Sequence, residues 1–524
     1  MRTHEGTPDE FACSRTALNL RSILLLALIP AAAVSAQITL PKVESDHMVV
    51  QRDLPVHVWG MAAPGEQVSV TFRGETRSTT AGKLGRWSVY LKPGAAGGPF
   101  EMTIAATPAE VANGAVDVNA LPKIVIRDIL VGDVWVASGQ SNMEFAMRNA
   151  STADADLPKA DNPRIRLLIV DKKGADYPQD DLATKGWAAS SPETAKDFSA
   201  VAWYFAREVE QREHVPVGVI DATWGGTPAE AWIRLAALGE NAGVNSLFAA
   251  RGTMLDQAAD AALEIKDEQR QRDEAAAQGK PAPQFPWHPA LESWGPGNLW
   301  NGMIAPLTPM AIRGAIWYQG ESNAGHERYP IYDRVMRTLI EDWRHEWGVG
   351  AFPFLYVQIA NFKTAPDDNW ANLRDQQLRT LGERNTGMAV TMDIGNPDDI
   401  HPKDKASVGH RLALAARALT YGEGAIEYSG PIFREATPEG GSIRAWFDHA
   451  KGLTAKGGEL TSVEVAGADG KWFAAKATVD GETVVASSPD VPGPVAIRYG
   501  WASSPQCTLF NGEGLPASPF SSVK

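Results

Sequence analysis

The residue best placed for nucleophilic chemistry is Ser141. It lies in the segment Gly-Gln-Ser-Asn-Met, residues 139–143, just after an apolar run that ends at Ala137. A serine on a tight strand-to-helix turn is presented at the edge of a sheet, where the helix N-terminus favours developing negative charge. Taken alone, such a serine is more often a helix cap. Ser141 is therefore a candidate nucleophile whose assignment depends on its surroundings.

The candidate general base is His401, in a predicted loop between a strand and a helix. Asp398 precedes it by three residues, a spacing at which a carboxylate can turn onto the imidazole and fix its tautomer. The other ring nitrogen could then deprotonate a serine. Asp399 and Asp393 are also close enough in sequence to be the orienting acid. We predict Asp398 for this role and keep the other two as alternatives.

Two further segments could stabilise the oxyanion of a tetrahedral intermediate. They are Trp-Gly-Gly-Thr at 224–227 and Trp-Tyr-Gln-Gly-Glu-Ser-Asn at 317–323. Such an oxyanion needs two or three preorganised donors, each worth about 2.7 to 4 kcal/mol. The candidate donors are the backbone N–H groups of Ser141 and Gly226 and a side-chain amide from Gln319 or Asn323.

Side chains beside these segments are candidates for contacting a substrate. They are Gln140, Trp224, Trp317 and Glu321, with Trp370 as a further aromatic candidate. Indole rings stack well on sugar rings, but most of the 17 tryptophans in such a chain belong to its core. Glu321 could support its own loop instead.

Around these segments the apolar pattern alternates between strands and helices. The predicted strands are 129–137, 217–222, 314–318, 354–359 and 388–392, and the predicted helices are 198–212, 331–347, 373–384 and 406–419. This alternation predicts an α/β fold, a parallel sheet between two helical layers. Ligands bind beyond the carboxyl ends of such strands. The segments that hold Ser141, Gly226, Gln319 and His401 are therefore expected to meet at one rim.

The chain is predicted to have four parts. They are a signal peptide at 1–36, an N-terminal β-domain at 37–125, a catalytic domain at 126–421 and a C-terminal β-domain at 422–524. Short alternating apolar runs broken by Gly and Pro indicate the two β-domains. The catalytic domain contains an insertion at 233–300, whose polar helix at 256–277 has too few apolar residues for a central position.

The N-terminus and the composition bound the location and the partners. Arg15 and Arg21 precede an apolar run of about a dozen residues and a small-x-small cleavage pattern, so we expect export to the periplasm or beyond, with cleavage before Gln37. The net charge of −14 argues against nucleic-acid and anionic-membrane partners. Metal-binding and phosphate-binding motifs are missing from the sequence, so we expect no metal and no cofactor.

These motifs together resemble those of the sialate O-acetylesterase family, within the SGNH hydrolase superfamily that also includes acetyl xylan esterases. The matching segments are 139–143, 224–228, 317–323 and 400–402, with further similarity at 46–52, 300–307 and 512–520. The resemblance implies a flavodoxin-like core in which Ser141 attacks an acetyl ester, His401 shuttles the proton and an aspartate near Asp398 orients it. It also implies an acetylated carbohydrate as substrate.

The substrate and the class of protein remain open at this point. The acidic chain favours neutral acetylated polysaccharide, such as xylan or xyloglucan fragments, over O-acetylated sialic acid. A sialate 9-O-acetylesterase is the alternative. A non-catalytic carbohydrate-binding protein is the alternative from another class. A lipase or peptidase is a further alternative, and the polar loops around Ser141 and His401 disfavour a long-chain lipase.

Overall fold

The computed structural model describes residues 38–107, 123–285, 290–364 and 369–523. The predicted signal peptide, 1–36, lies outside the described residues. Within them, no helix combines the length and the apolarity that crossing a bilayer requires.

The helices and strands are numbered in chain order. The strands are β1 Val49–Gln51, β2 Val56–Met61, β3 Gln67–Phe72, β4 Glu75–Thr80, β5 Arg86–Leu91, β6 Gly97–Thr107, β7 Lys123–Gly139, β8 Asn162–Val170, β9 Thr184–Ser190, β10 Val217–Thr223, β11 Gly314–Tyr318, β12 Phe354–Val357, β13 Thr386–Ala389, β14 Ile432–Glu439, β15 Ser442–Asp448, β16 Thr454–Ala455, β17 Val463–Ala466, β18 Trp472–Ala474, β19 Lys476–Asp480, β20 Thr483–Ser487, β21 Ala496–Tyr499, β22 Leu509–Phe510 and β23 Phe520–Ser521. The α-helices are α1 Ser141–Glu144, α2 Ala153–Asp156, α3 Pro192–Ala195, α4 Ala200–Glu213, α5 Leu235–Glu240, α6 Asn245–Ala277, α7 Leu291–Trp294, α8 Tyr332–Trp347, α9 Trp370–Thr380 and α10 Lys405–Leu419.

The catalytic domain is built on a central sheet in the order β13-β12-β11-β7-β10-β8-β9. Its strands are parallel except for β9, which pairs antiparallel with β8. Apart from the β8–β9 edge, the order is that of flavodoxin, with the first strand of the catalytic sheet, β7, between β10 and β11. Gly139 at the end of β7 pairs with Thr223 on one side and Tyr318 on the other. The three carboxyl ends are therefore level, as the sequence predicted.

Side chains of β7 alternate between the two faces of this sheet. Val134 and Val136 pack into one buried cluster, which includes α8 and α9 side chains. Trp135 and Ala137 pack into the other, which includes α4 and α10 side chains. A strand buried on both faces reads as a continuous apolar run, the pattern that predicted it. The core is the predicted three-layer α/β/α sandwich.

The N-terminal β-layer and the catalytic sheet share one strand. The first half of β7 pairs antiparallel with β6, and its second half pairs with β10 and β11. The predicted boundary between residues 125 and 126 therefore falls inside a continuous strand. The layer contains antiparallel pairs and one parallel pair, that of β1 with β7.

The insertion forms a long helix that projects from the sheet. Its helix α6 has 33 residues and begins at Asn245, earlier than predicted. Along most of it, large apolar side chains such as Leu263, which is 66% exposed, face solvent. Near the start of α6, Arg251 donates to the carbonyl oxygen of Pro296 and to Asp176. These two bonds fix the first turns of the helix to the rest of the domain. Helix α7 then returns the chain to the catalytic rim.

The C-terminal β-domain docks on the catalytic domain through a buried arginine. The Arg374 guanidinium on α9 is fully buried and donates to the carbonyl oxygens of Ala502 and Ser503 at 2.8 Å each. The same guanidinium binds the carbonyls of Ile359 and Ala360 in the catalytic domain. Burial lowers its pKa to about 9. One side chain therefore joins the two domains through backbone carbonyls.

Candidate active site

The turn that carries Ser141 requires glycine at position 139. Gly139 has φ +130°, and a Cβ there would lie 2.2 Å from the carbonyl oxygen of Tyr318 on the neighbouring strand. The chain then enters α1, whose first residue is Ser141. N–H groups in the first turn have no acceptor within a helix, so they can face an anion.

Gln140, predicted to contact substrate, is instead buried and ties two loops together. Its side chain is 3% exposed, and Oε1 accepts N–H bonds from Ser322 at 3.2 Å and Gly320 at 3.4 Å. The loop after β11 is thus held against the turn that carries Ser141.

Ser141 and His401 are in hydrogen-bond contact. Nε2 of His401 lies 2.8 Å from Oγ of Ser141, although the two residues are 260 positions apart in the chain. Burial lowers the pKa of the imidazole below its ordinary 6.5, and the nearby Lys405 lowers it further. A neutral ring can accept the hydroxyl proton at Nε2, so the pair has the geometry of a nucleophile with its base.

The orienting carboxylate is not where the spacing placed it. Asp398 is 81% exposed at its side chain and pairs with Nζ of Lys363 at 3.2 Å, away from the imidazole. Asp399 is the nearer acid: its Oδ1 accepts the backbone N–H of His401 at 2.9 Å and lies 3.9 Å from Nδ1. Asp393 is held by both terminal nitrogens of Arg411 at 2.7 Å. The geometry favours Asp399 over the predicted Asp398.

The Gly225–Gly226 turn lies directly against the candidate nucleophile. A Cβ at position 225 would lie 3.2 Å from Cβ of Ser141, so a larger residue there would push against the candidate nucleophile. Gly226 adopts φ +75°, in the left-handed region that glycine favours. The N–H of Gly225 is already taken, because it donates to Glu144 at 2.5 Å. Gly226 directly follows Gly225, and its role as an oxyanion donor stays a prediction.

Gln319 and Asn323 hold the interior of the rim together. Gln319 is fully buried, and its Nε2 donates to Asn323 Oδ1 at 2.6 Å and to the carbonyl of Thr227 at 3.1 Å. Asn323, 1% exposed, donates to Glu230 and accepts the N–H of Ala229. Both amide protons of Gln319 are therefore used, so its predicted place in an oxyanion hole is wrong for this geometry. Asn323 acts in the same network, which the loop spacing alone could not reveal.

Most of the predicted aromatic contacts belong to the core. Trp317 is 1% exposed and packs edge-to-face on Trp232 and Trp343. Trp370 is 4% exposed and donates to the carbonyl of Ala360. Both predictions of substrate contact were wrong, because the apolar layer under the sheet needs large side chains at these positions.

Trp224 stays at the rim of the site, beside charged groups. Nζ of Lys172 lies 5.9 Å from the centre of its ring and 2.6 Å from Glu144. Trp294 at the end of the insertion is a second rim residue, which sequence reasoning missed. The Arg328 guanidinium covers its ring at 4.4 Å. No motif marked Trp294, because only the return of the insertion brings it to the site.

Glu321 does not face the substrate side as predicted. Its Oε1 accepts a 2.6 Å bond from Nδ2 of Asn142, and Oε2 is buried. Burial raises the pKa of this carboxyl above its usual value. The oxygen of the same Asn142 amide accepts a 2.5 Å bond from Nζ of Lys405. No motif marks Lys405, which looks like an ordinary first-turn residue of a helix.

Among the residues described, no group of three or more His, Cys, Asp or Glu side chains has the arrangement of a metal site. The groups brought together at the carboxyl edge of the sheet are the Ser141 hydroxyl, the His401 imidazole and the Asp399 carboxylate. This set can transfer an acyl group by itself.

Comparisons with known proteins agree with this chemistry. A family model described as carbohydrate esterase, sialic acid-specific acetylesterase, matches residues 288–418. The sialate O-acetylesterase of Homo sapiens is 31% identical over 520 residues, which cover 91% of each chain. That of Mus musculus is 30% identical over 523 residues, covering 91% of this chain and 92% of the relative. A carbohydrate acetylesterase from Xanthomonas citri superposes with a TM-score of 0.78 at 36% identity, covering 93% of this chain and 99% of that one.

Proposed function

Because this chain belongs to the sialate O-acetylesterase family, we propose that it hydrolyses carbohydrate acetyl esters with Ser141 as nucleophile and His401 as general base. The observation that carries the proposal is the 2.8 Å contact between Oγ of Ser141 and Nε2 of His401. A non-catalytic binding protein would not need the Ser141 hydroxyl and the His401 imidazole in hydrogen-bond contact, so this geometry disfavours that alternative.

The reaction proceeds in two halves. Oγ of Ser141 attacks the acetyl carbonyl carbon while Nε2 of His401 takes the hydroxyl proton. The backbone N–H groups of Ser141 and Gly226 donate to the resulting oxyanion. Collapse breaks the bond to the sugar oxygen, which leaves with the proton from the imidazolium. Water then attacks the acetyl-serine, His401 again accepts and returns a proton, and acetate is released.

Asp399 is the acid that we assign to this mechanism. Its carboxylate accepts the backbone N–H of His401 and lies within ion-pair distance of Nδ1. It therefore stabilises the positive charge that the ring gains during attack. The separation of 3.9 Å is too long for a hydrogen bond. Asp399 therefore acts by placing the loop and by electrostatic attraction.

The substrate that we favour is a neutral acetylated polysaccharide, such as a xylan or xyloglucan fragment. A cation would stabilise the carboxylate of a sialic acid, and three of the cations near the rim, among the residues described, already have acidic partners. Lys172 contacts Glu144, Lys363 contacts Asp398, and Arg328 lies 3.6 Å from Glu230. O-acetylated sialic acid is the second candidate, because the curated relatives carry that name.

The decisive experiment measures acetate release from acetylated xylan, acetylated xyloglucan oligosaccharides and O-acetylated sialic acid. Ser141→Ala is the blank, and Ser78→Ala, at an exposed serine of β4, is the matched control. Acetate release by the wild type and by Ser78→Ala, with none from Ser141→Ala, supports the serine mechanism. Faster turnover of the sialic acid would overturn the preference for neutral sugars, and release by Ser141→Ala would overturn the mechanism.

We also propose that the protein is exported, on the basis of the N-terminal pattern of the sequence. N-terminal sequencing of the protein recovered from the periplasm or the medium should then begin at Gln37. Recovery of the intact N-terminus from the cytoplasm would contradict export.

A further inference from the structure

A buried polar bridge beneath Ser141 and His401 takes no part in the mechanism above. Nζ of Lys405 donates to Oδ1 of Asn142 at 2.5 Å, and Nδ2 of Asn142 donates to Glu321 at 2.6 Å and to the carbonyl of Ile400 at 3.0 Å. The Lys405 side chain is fully buried and Asn142 is 1% exposed. Three unlike partners thus surround one amide.

These partners fix which way the amide of Asn142 faces. An ammonium group only donates, so it must meet the amide oxygen, whereas a carboxylate and a carbonyl only accept and must meet the amide nitrogen. The two acceptors hold the amide nitrogen of Asn142, and Lys405 holds the oxygen on the opposite side. Loss of Lys405 would leave this buried oxygen without that donor, so the amide would no longer be held from both sides.

The bridge joins the two residues that neighbour the reacting pair. Asn142 directly follows Ser141, and Ile400 directly precedes His401. A displacement of either loop would change the contact between Oγ and Nε2, and a misplacement of about 1 Å can cost about a hundredfold in rate. Building on the proposed function, we propose that Lys405 is a positioning residue for the Ser141–His401 pair and acts through Asn142.

The position of Lys405 is costly for the fold. It is the first residue of α10, where the helix dipole opposes a cation, and removing an ammonium from water adds a further cost. The rings of Phe145 and Tyr318, 4.8 and 5.3 Å from Nζ, offset part of it. Burial lowers the pKa of Lys405 to about 7. A methionine would pack there without these costs, so the amino group has a use beyond stability.

The charge of Lys405 also acts on His401. The charged groups that face the pair are Glu144 on α1, Glu321 after β11, and Asp399 and Asp404 ahead of α10. Against these acids, Lys405 is the cation that lowers the pKa of the imidazole. Its removal should therefore move the acid limb of kcat/KM to higher pH. A change that only loosened the fold would lower activity without moving this limb in that direction.

The test compares three variants of the full chain with the wild type. Lys405→Met removes both the donor and the charge, Lys405→Gln keeps a donor without the charge, and Asn142→Ser removes the bridge but keeps the charge. The matched control is Lys403→Met, an exposed lysine two residues earlier. The readouts are kcat, KM, the pH profile on a neutral acetyl ester, and the His401 titration followed by NMR of ¹³C-histidine protein.

We expect Lys405→Met to lose about a hundredfold in kcat with little change in KM. Its acid limb and its NMR titration should both move to higher pH. Lys405→Gln should regain part of kcat with the limb still shifted, and Asn142→Ser should lose kcat with the limb unshifted. Lys403→Met should behave as the wild type.

Wild-type kcat in Lys405→Met, or an unchanged His401 titration, would overturn the positioning role. The titration needs no substrate, so it decides the matter even if the ester chosen is a poor one. If Lys405→Met does not fold, Asn142→Ser decides. A lower kcat with an unshifted acid limb supports the positioning role, and a wild-type kcat contradicts it. Activity that persists in Ser141→Ala would instead refute the proposed function, whatever the titration shows.

Discussion

The indole N–H of Trp294 donates a 2.6 Å hydrogen bond to the carbonyl oxygen of Gly226. The end of the insertion is therefore fixed to the glycine turn that lies against Ser141. Since the N–H of Gly226 is a proposed donor to the oxyanion, the insertion takes part in setting the geometry of the site.

Trp294→Phe should lower kcat by about tenfold, because it keeps an aromatic ring at this position but removes the hydrogen bond that holds the Gly226 peptide. Steady-state kinetics on a small acetyl ester would measure this loss. Trp446→Phe, at a tryptophan that is 36% exposed in the C-terminal domain, is the matched control. An unchanged kcat in Trp294→Phe would show that the turn holds its shape without the indole.

Asp399→Asn should lower kcat by about ten- to a hundredfold, because the imidazolium formed during attack loses its nearest carboxylate. Asp398→Asn should stay within about twofold of the wild type, since it removes only an exposed pair with Lys363. The two substitutions are at adjacent positions, and each removes one negative charge. The reverse ranking of their kcat values would restore Asp398 as the orienting acid.

The acid limb of kcat/KM should have its midpoint below pH 6.5. His401 reacts as the neutral ring, and burial with the Lys405 charge lowers its pKa from the ordinary 6.5, so the ring stays neutral to lower pH. A pH series on an uncharged acetyl ester measures the midpoint. A midpoint above 6.5 would mean that Asp399 and Glu144 outweigh burial.

Asp221, near the end of β10, should make stability fall as the pH rises from about 4 to about 7. Burial raises the pKa of its carboxyl to about 7, above the ordinary 3.8. The stability due to the protonated form is present below 3.8 and is lost as the pH rises through about 7. Asp221→Asn cannot ionise, so the melting temperature of the wild type should fall relative to this variant as the pH rises from about 4 to about 7, and the difference should level off above that. A constant difference would contradict the raised pKa.

The sequence predicted the backbone of the catalytic domain better than the roles of its polar side chains. Strand 314–318 has the predicted bounds, because a run buried on both faces leaves a clear apolar pattern. Helix 406–419 begins one residue early, at Lys405. The rim predicted from strand ends contains Ser141 and His401 in contact. These features depend on periodicity and on the level ends of parallel strands.

Side-chain direction explains the errors at the site. Asp398 and Asp399 are adjacent, so spacing could not tell which carboxylate faces His401 and which faces Lys363. Gln319 lies at the correct strand end but points inward, toward Thr227. A polar residue in a predicted loop carries no sign of whether it faces the cleft or the interior. Only the packing of neighbouring loops decides this.

The shared strand β7 limits how this enzyme can be rearranged. Its 17 residues, an extended span of about 56 Å, join the N-terminal layer to Gly139 beside the nucleophile without a linker. Exchange or deletion of the layer would interrupt a continuous strand whose second half pairs with both β10 and β11. The α6 insertion differs in this respect, because it lies between β10 and β11 and outside the strands of the sheet, so its length can change while the catalytic strands stay paired.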